Sequence, residues 1–89
     1  MVTSFILLTT DRLKVNDVAQ KLTEIKGISE VYSVSGNYDL VAIVRVATNE
    51  ELADLVTNRF VKIDGIETTD TMLAFKAYSK HDLESMFSV

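Results

Sequence analysis

An α+β fold of element order β-α-β-β-α-β is predicted by three features of the 89-residue sequence. Four runs are rich in β-formers, two stretches carry apolar residues at helical spacing, and a four-residue motif recurs at both helix-to-strand junctions. The first strand is read at Val2–Thr9, Val-Thr-Ser-Phe-Ile-Leu-Leu-Thr. Apolar residues then recur at Val15, Val18, Ala19, Leu22 and Ile25, one face of a helix, and Gly27 follows as a stop. A second strand is expected from Ile28 to Ser35. Gly36-Asn37 is a dipeptide of the kind that closes a two-residue hairpin, and a third strand follows from Tyr38 to Val46. Thr48-Asn49-Glu50-Glu51 reads as a capping box, with Thr48 as N-cap and Glu51 reaching back to its amide. Leu52, Leu55, Val56, Phe60 and Ile63 form the second helical stripe, ended by Gly65. A fourth strand is expected from Glu67 to Tyr78, and Ser79–Phe87 as a short terminal helix. Ile63-Asp64-Gly65-Ile66 repeats Ile25-Lys26-Gly27-Ile28 after 38 residues, where duplication of a split β-α-β unit would place it. The architecture implied is ferredoxin-like: a four-stranded antiparallel sheet with two helices on one face.

Length and composition narrow the function. A chain of 89 residues is a single domain, read as 1–89, without room for a second. Thirteen acidic residues against nine basic ones give a net charge of −4, unsuited to duplex DNA, whose binding depends on Lys and Arg neutralising phosphates. There is no cysteine and only one histidine, His81, so thiol chemistry, disulfides and Cys-based zinc sites are excluded, and no metal or cofactor is expected. No apolar run approaches the ~20 residues of a membrane span, and no signal peptide is visible, so a cytoplasmic location is expected.

The sheet pattern carries more information. A sheet covered on one face should alternate apolar with polar residues. Here Leu40, Ala42, Val44 and Val46 lie on one face of the third strand, yet Val41 and Ile43 on the other are apolar too. Phe5 and Leu7 oppose Ile6 and Leu8 in the first strand, and Leu73, Phe75 and Ala77 oppose Met72, Ala74 and Tyr78 in the fourth. An apolar face left bare at this scale marks a protein–protein contact, and a domain this small gains from an added stabiliser. The alternative is that the C-terminal segment folds back over this face, but it is too short to cover all of it, so a sheet-to-sheet homodimer is expected.

Catalytic signatures are missing: no nucleophile elbow, no Gly-rich phosphate loop, no HExxH, no Cys–His pair. Ser79-Lys80-His81-Asp82 puts neighbours on diverging sides of a helix and is no triad. Two stretches remain. Ser35-Gly36-Asn37-Tyr38-Asp39 is an ordinary turn, or a site whose amides cradle a carboxylate while Asp39 accepts from an ammonium. Thr68-Thr69-Asp70-Thr71 is simple β-propensity, or a row of hydroxyls for a small polar ligand. Together an Asp, a Gly turn and Thr hydroxyls suit an α-amino acid better than a phosphate or a nucleobase.

Three stretches also carry a family resemblance. Ile25-Lys26-Gly27-Ile28 with Val31-Tyr32-Ser33-Val34-Ser35-Gly36-Asn37-Tyr38-Asp39-Leu40 resembles a "G-V-…-v-t-G-d-Y/F-D" segment. Glu50-Glu51-Leu52 resembles the start of a second helix, and Gly65-Ile66-Glu67-Thr68-Thr69-Asp70-Thr71-Met72-Leu73 a "G-V-…-T-x-T" strand. These belong to the C-terminal effector-binding (RAM) domain of the Lrp/AsnC (leucine-responsive/asparagine) transcription regulators, and the likeness spans essentially the whole chain. It implies dimers joined through their sheets and assembled into tetramers, octamers or larger rings, with an amino-acid effector at the contact between dimers. The positions matching that pocket are Gly36, Tyr38 and Asp39 of the turn, with Thr69 and Thr71 of the fourth strand. The family's regulators carry an N-terminal helix-turn-helix, whereas this chain opens on the first strand and resembles the stand-alone form, without a DNA-binding domain. Full-length regulators of the family are its expected protein partners. Asn37 stands where an acidic residue is common. Two alternatives remain open. An ACT-like amino-acid domain shares the element order, although Thr10–Val15 lacks the expected Gly. A dimeric α+β barrel oxygenase or isomerase would want polar groups inside the barrel, where only Arg45 is suitably placed.

Overall fold

A computed structural model describes residues 1–78 and Lys80. The terminal helix expected over Ser79–Phe87 lies, apart from Lys80, outside the described residues. Strand β1 (Val2–Thr10) leads through a single 3-10 turn, Arg12–Lys14, into helix α1 (Val15–Thr23). β2 (Ile28–Ser33) and β3 (Leu40–Val46) form the central hairpin. α2 (Asn49–Asp54) continues through a π turn, Leu55–Arg59, and a 3-10 turn, Phe60–Lys62, before β4 (Ile66–Leu73). The strands pair antiparallel in the order β2-β3-β1-β4, which is the ferredoxin-like arrangement expected.

The core lies between the sheet and the helices. Ile6, Leu8, Leu40, Ala42 and Val44 point from the central strands toward Val18 and Leu22 of α1 and toward Leu55 and Phe60, all fully or almost fully buried. A side chain caps α2, as its sequence implies, and another caps the 3-10 turn before α1, while α1 itself starts without a side-chain cap. The Asp11 carboxylate accepts the Leu13 N–H at 3.0 Å, and the Thr48 hydroxyl accepts the Glu51 N–H at 3.1 Å. Glu51 closes its box one residue earlier than expected, accepting the N–H of Ala47 at 3.1 Å instead of that of Thr48.

The second apolar stripe contains a feature that spacing alone conceals. Leu55 and Phe60 are five residues apart, which in a regular α-helix places them about 140° from each other. Both are nonetheless 3% exposed, because the Phe60 N–H donates to the Leu55 carbonyl in a π turn that widens the helix by one residue. The strand-to-helix junction before α1 is clamped to the helix-to-strand junction before β4. Asp11 N–H donates to Gly65 O at 2.8 Å, and the Lys14 ammonium pairs with the Asp64 carboxylate. Each partner shifts the other, Lys14 being pushed up and Asp64 pulled down, chiefly by their hydrogen bond. The depressed Asp64 therefore favours folding above the ordinary carboxylate range and loses that effect as pH falls through its folded value.

Three boundaries differ from the sequence reading. Gly36-Asn37 is not the two-residue hairpin turn expected, although Gly36 has positive φ (108°). The Val34 N–H instead donates to Asp39 O at 3.0 Å, so the hairpin closes on the four-residue loop Ser35–Tyr38, β2 stops at Ser33, and β3 starts at Leu40. β4 ends at Leu73 and not Tyr78. Ala74 N–H still reaches Thr3 O at 2.9 Å, but β1 begins at Val2, opposite Phe75 in this register, and offers residues 76–78 no strand to pair with.

The register divides the faces cleanly. On the face away from the helices, Tyr32, Val41, Leu7 and Asp70 form one row across the sheet, and Glu30, Ile43, Phe5 and Met72 the next. Phe5, Leu7, Val41 and Ile43 are only half-buried, and Tyr32 and Met72 are about half exposed, at 51% and 49%. The apolar open face expected from the sequence is present in the single chain.

Two glycines provide a test of this backbone. Gly27 has φ +102°, and a Cβ there would stand 2.7 Å from Val46 Cγ1, whereas Gly36 has φ +108° with nothing within 4 Å. Gly36→Ala should cost about 1 kcal/mol, the conformational penalty alone, and Gly27→Ala at least about 2 kcal/mol, as overpacking adds to it. Urea denaturation of both variants measures the difference, and equal losses would contradict it.

Candidate functional site

The site residues expected from sequence gather around one end of the sheet, where β1 finishes, β3 starts and β4 starts. Asp39 occupies the centre. Its N–H donates to Leu8 O at 2.8 Å, and its Oδ2 accepts the Thr10 N–H at 2.8 Å. The carboxylate thereby extends the β1–β3 ladder past the last regular pair and fixes the loop against the end of β1. One carboxylate oxygen is committed to the backbone, which leaves Oδ1 as the outward acceptor.

Tyr38 points the other way. Its hydroxyl donates to Asp70 Oδ2 at 2.9 Å, tying the loop to edge strand β4. That hydrogen bond, followed by the negative charge of Asp70, holds the Tyr38 hydroxyl above the usual tyrosine value of 10.0. Beside it the hydroxyls of Thr9 and Thr68 hydrogen-bond at 2.5 Å, a second link between β1 and β4. Gly36 sits at the exposed tip. Gly36 and Asn37 are both exposed, and among the described residues their amides make no backbone hydrogen bond.

Thr69 and Thr71 lie on the other face. The register aligns Thr69 with Leu8 and Leu40, and Thr71 with Ile6 and Ala42, all toward the helix layer. Because β4 is an edge strand, the helices do not cover them, and both are exposed. Thr69 lines a shallow cleft of about 230 Å³ with Val56, Phe60, Ile63 and Ile66. A single chain thus brings Gly36, Tyr38 and Asp39 together, while the two threonines flank the sheet from behind. Asp70, which sits between them in sequence, is the residue of that strand that contacts the loop. Sequence reasoning missed its role, because the pairing of β4 with β1 determines which of Thr69, Asp70 and Thr71 shares a face with Tyr38.

Comparison with known proteins decides the family. The model of the Lrp/AsnC ligand binding domain matches residues 3–83, nearly the whole described chain. The protein belongs to the Lrp/AsnC family. The HTH-type transcriptional regulator FL11 of Pyrococcus furiosus is 35% identical over 77 residues, which is 86% of this chain and 50% of FL11. The chain therefore spans about half the length of the curated relatives it matches. The crystal structure of TTHA0845 from Thermus thermophilus superposes with a TM-score of 0.85 at 42% identity, covering 90% of this chain and 100% of that one. A transcriptional regulator of Neisseria meningitidis, NMB0573, solved as a complex with L-Met, shares the fold at a TM-score of 0.79 and 11% identity, over 88% of this chain and 52% of that one. Membership of Lrp/AsnC removes both alternatives raised by the sequence, the ACT-like domain and the barrel oxygenase or isomerase. The relatives are named transcriptional regulators, and this Lrp/AsnC domain is linked to transcription regulation and is not an enzyme.

The link between Tyr38 and Asp70 has a pH signature. A raised folded pKa means that the pair favours folding up to the ordinary tyrosine range and loses that effect as pH rises through Tyr38's own value. Asp70→Asn should bring the Tyr38 transition down toward 10.0. Ultraviolet titration of the tyrosinate band in Tyr38→Phe, Asp70→Asn and wild type isolates it. An unmoved transition in Asp70→Asn would exclude the contact in solution.

Proposed function

We propose that this Lrp/AsnC domain is an oligomeric amino-acid sensor acting in the cytoplasm through other proteins, full-length regulators of its own family foremost. The observation that carries this reading is the Gly36–Asp39 loop. It is braced twice, by Asp39 on the Thr10 amide and by Tyr38 on Asp70, and among the described residues the Gly36 and Asn37 amides and one Asp39 oxygen are left without a hydrogen bond. Fixed amides suit a carboxylate, and a fixed carboxylate oxygen suits an ammonium. An α-amino acid carries both groups at one carbon. The complex of NMB0573 with L-Met supports an amino acid as the effector class within this fold.

Assembly follows from the open face. Two copies closing Phe5, Leu7, Val41, Ile43 and Met72 against their symmetry mates form the dimer, and dimers meeting at the loop end form a tetramer, octamer or larger ring. In that arrangement Thr69 and Thr71 face the effector from a copy other than the one supplying Asp39. This accounts for their position behind the sheet in the single chain. Duplex DNA is not a direct partner in this reading, as the charge of −4 implies.

A thermal-shift screen of the twenty amino acids tests effector binding, since a ligand at a hundredfold excess over Kd stabilises by about 2.7 kcal/mol. Asp39→Asn keeps an acceptor for the Thr10 amide but removes the charge, so affinity should fall about ten- to a hundredfold with the fold intact. Thr71→Val should cost less, about two- to tenfold. No response to any amino acid at millimolar concentration, or unchanged affinity in Asp39→Asn, would contradict the proposal. For the dimer, Ile43→Lys should yield a smaller, less stable species on gel filtration, because it buries an unpaired charge in the seam.

A further inference from the structure

A second cleft lies at the far end of the sheet from the loop. It measures about 630 Å³ and opens where α1 runs into β2 and β3 turns into α2. β3 (Leu40–Val46) separates it from the Gly36–Asp39 loop by about 20 Å, the rise of a strand of this length. We infer that this cleft is a second small-molecule site, for an apolar zwitterion longer than one amino acid, of the size of a dipeptide.

Four observations carry the inference. The first is size: the cleft falls within the range of about 300–1,000 Å³ typical of pockets that enclose organic ligands. The second is charge. Lys26, Arg45 and Arg59 line it together with Met1, Glu50, Glu51 and Asp54, so the walls carry both signs and suit a ligand with separated charges. Val46 and Leu55, both buried core residues, supply an apolar floor.

The third observation is that several of these groups retain bonding capacity. Arg59 Nε stands 3.8 Å from Asp54 Oδ2, and Arg45 Nη1 stands 3.6 Å from Glu30 Oε1, attractive separations that are longer than hydrogen bonds. Among the described residues, Lys26 and Glu50 make no side-chain hydrogen bond or ion pair. Glu51 is occupied by the Ala47 amide and has a structural task. The Arg59 guanidinium, with Lys26, is thus available to a carboxylate, and Glu50 to an ammonium.

The fourth is the π turn. Asp54 and Arg59 are five residues apart and would diverge around a regular α-helix by about 140°. The extra residue in Leu55–Arg59 draws Arg59 back over Asp54 at the rim of the cleft while Leu55 and Phe60 remain in the core. The chain holds a wider helical turn just where it lines the cleft, a placement frequent at functional sites. The site is independent of the amino-acid reading of the loop, since it shares no residue with it.

Isothermal titration calorimetry of the folded oligomer with leucyl-leucine tests the inference, with the N-acetylated and C-amidated forms as charge controls. Saturable binding is expected for the free dipeptide and a loss of about tenfold or more for each blocked form. Arg59→Gln and Glu50→Gln should each weaken binding by a similar factor. Both residues are exposed, so circular dichroism and the melting curve of each variant should match wild type, which separates lost binding from lost folding. No heat of binding up to about 10 mM dipeptide, or binding that both variants leave intact, would overturn the inference and leave the cleft as a self-neutralised surface.

Discussion

Two helices can cover only one face of a four-stranded sheet, and the rest of this structure depends on how the other face is disposed. The covered face is resolved within the chain: Ile6, Leu8, Leu40, Ala42 and Val44 reach full burial against Val18 and Leu22. The open face carries the rows Tyr32-Val41-Leu7-Asp70 and Glu30-Ile43-Phe5-Met72, whose apolar members stay partly in contact with water. Burial contributes roughly 25 cal/mol per Å², so a few hundred Å² closed against a second copy is worth several kcal/mol. For a domain of 89 residues, which is marginal alone, that is a large part of its stability.

The same geometry arranges the functional end. The chain leaves β2, passes through the four-residue loop and enters β3 with Asp39 holding the end of β1. Tyr38 then joins the loop to β4 through Asp70. The loop is braced by two strands on the same side of it, β1 directly and β4 beyond. An effector at that end and an assembly contact at the same end would therefore influence one another. That coupling is a property expected of a sensing domain in a transcription regulator.

Much of this was legible in the sequence. Spacing at 3.6 placed both helical stripes, and the glycines at 27 and 65 marked their ends, because positive φ excludes other residues there. The apolar residues on both sides of the third strand announced the open face. Other features were not legible, for physical reasons. A π turn leaves no compositional trace, since Leu55 and Phe60 simply join a stripe that an α-helix also explains. The hairpin looked like a two-residue turn because Gly-Asn suits one, while the Val34 N–H closes on the Asp39 carbonyl and Asp39 is held in place by accepting the N–H of distant Thr10. The end of β4 depended on where β1 begins. Within the site, Gly36, Tyr38 and Asp39 were read as a unit and lie together. The faces of Thr69, Asp70 and Thr71 required the register of two strands more than fifty residues apart in sequence.

The central claim is that the open sheet face is completed by a second copy of the chain. Sedimentation equilibrium of the wild-type protein at micromolar concentration tests it most directly. The account predicts a mass at an even multiple of 9.9 kDa, with no monomer detected. A single species of 9.9 kDa that keeps its native circular dichroism would show the open face stable in water and contradict the account.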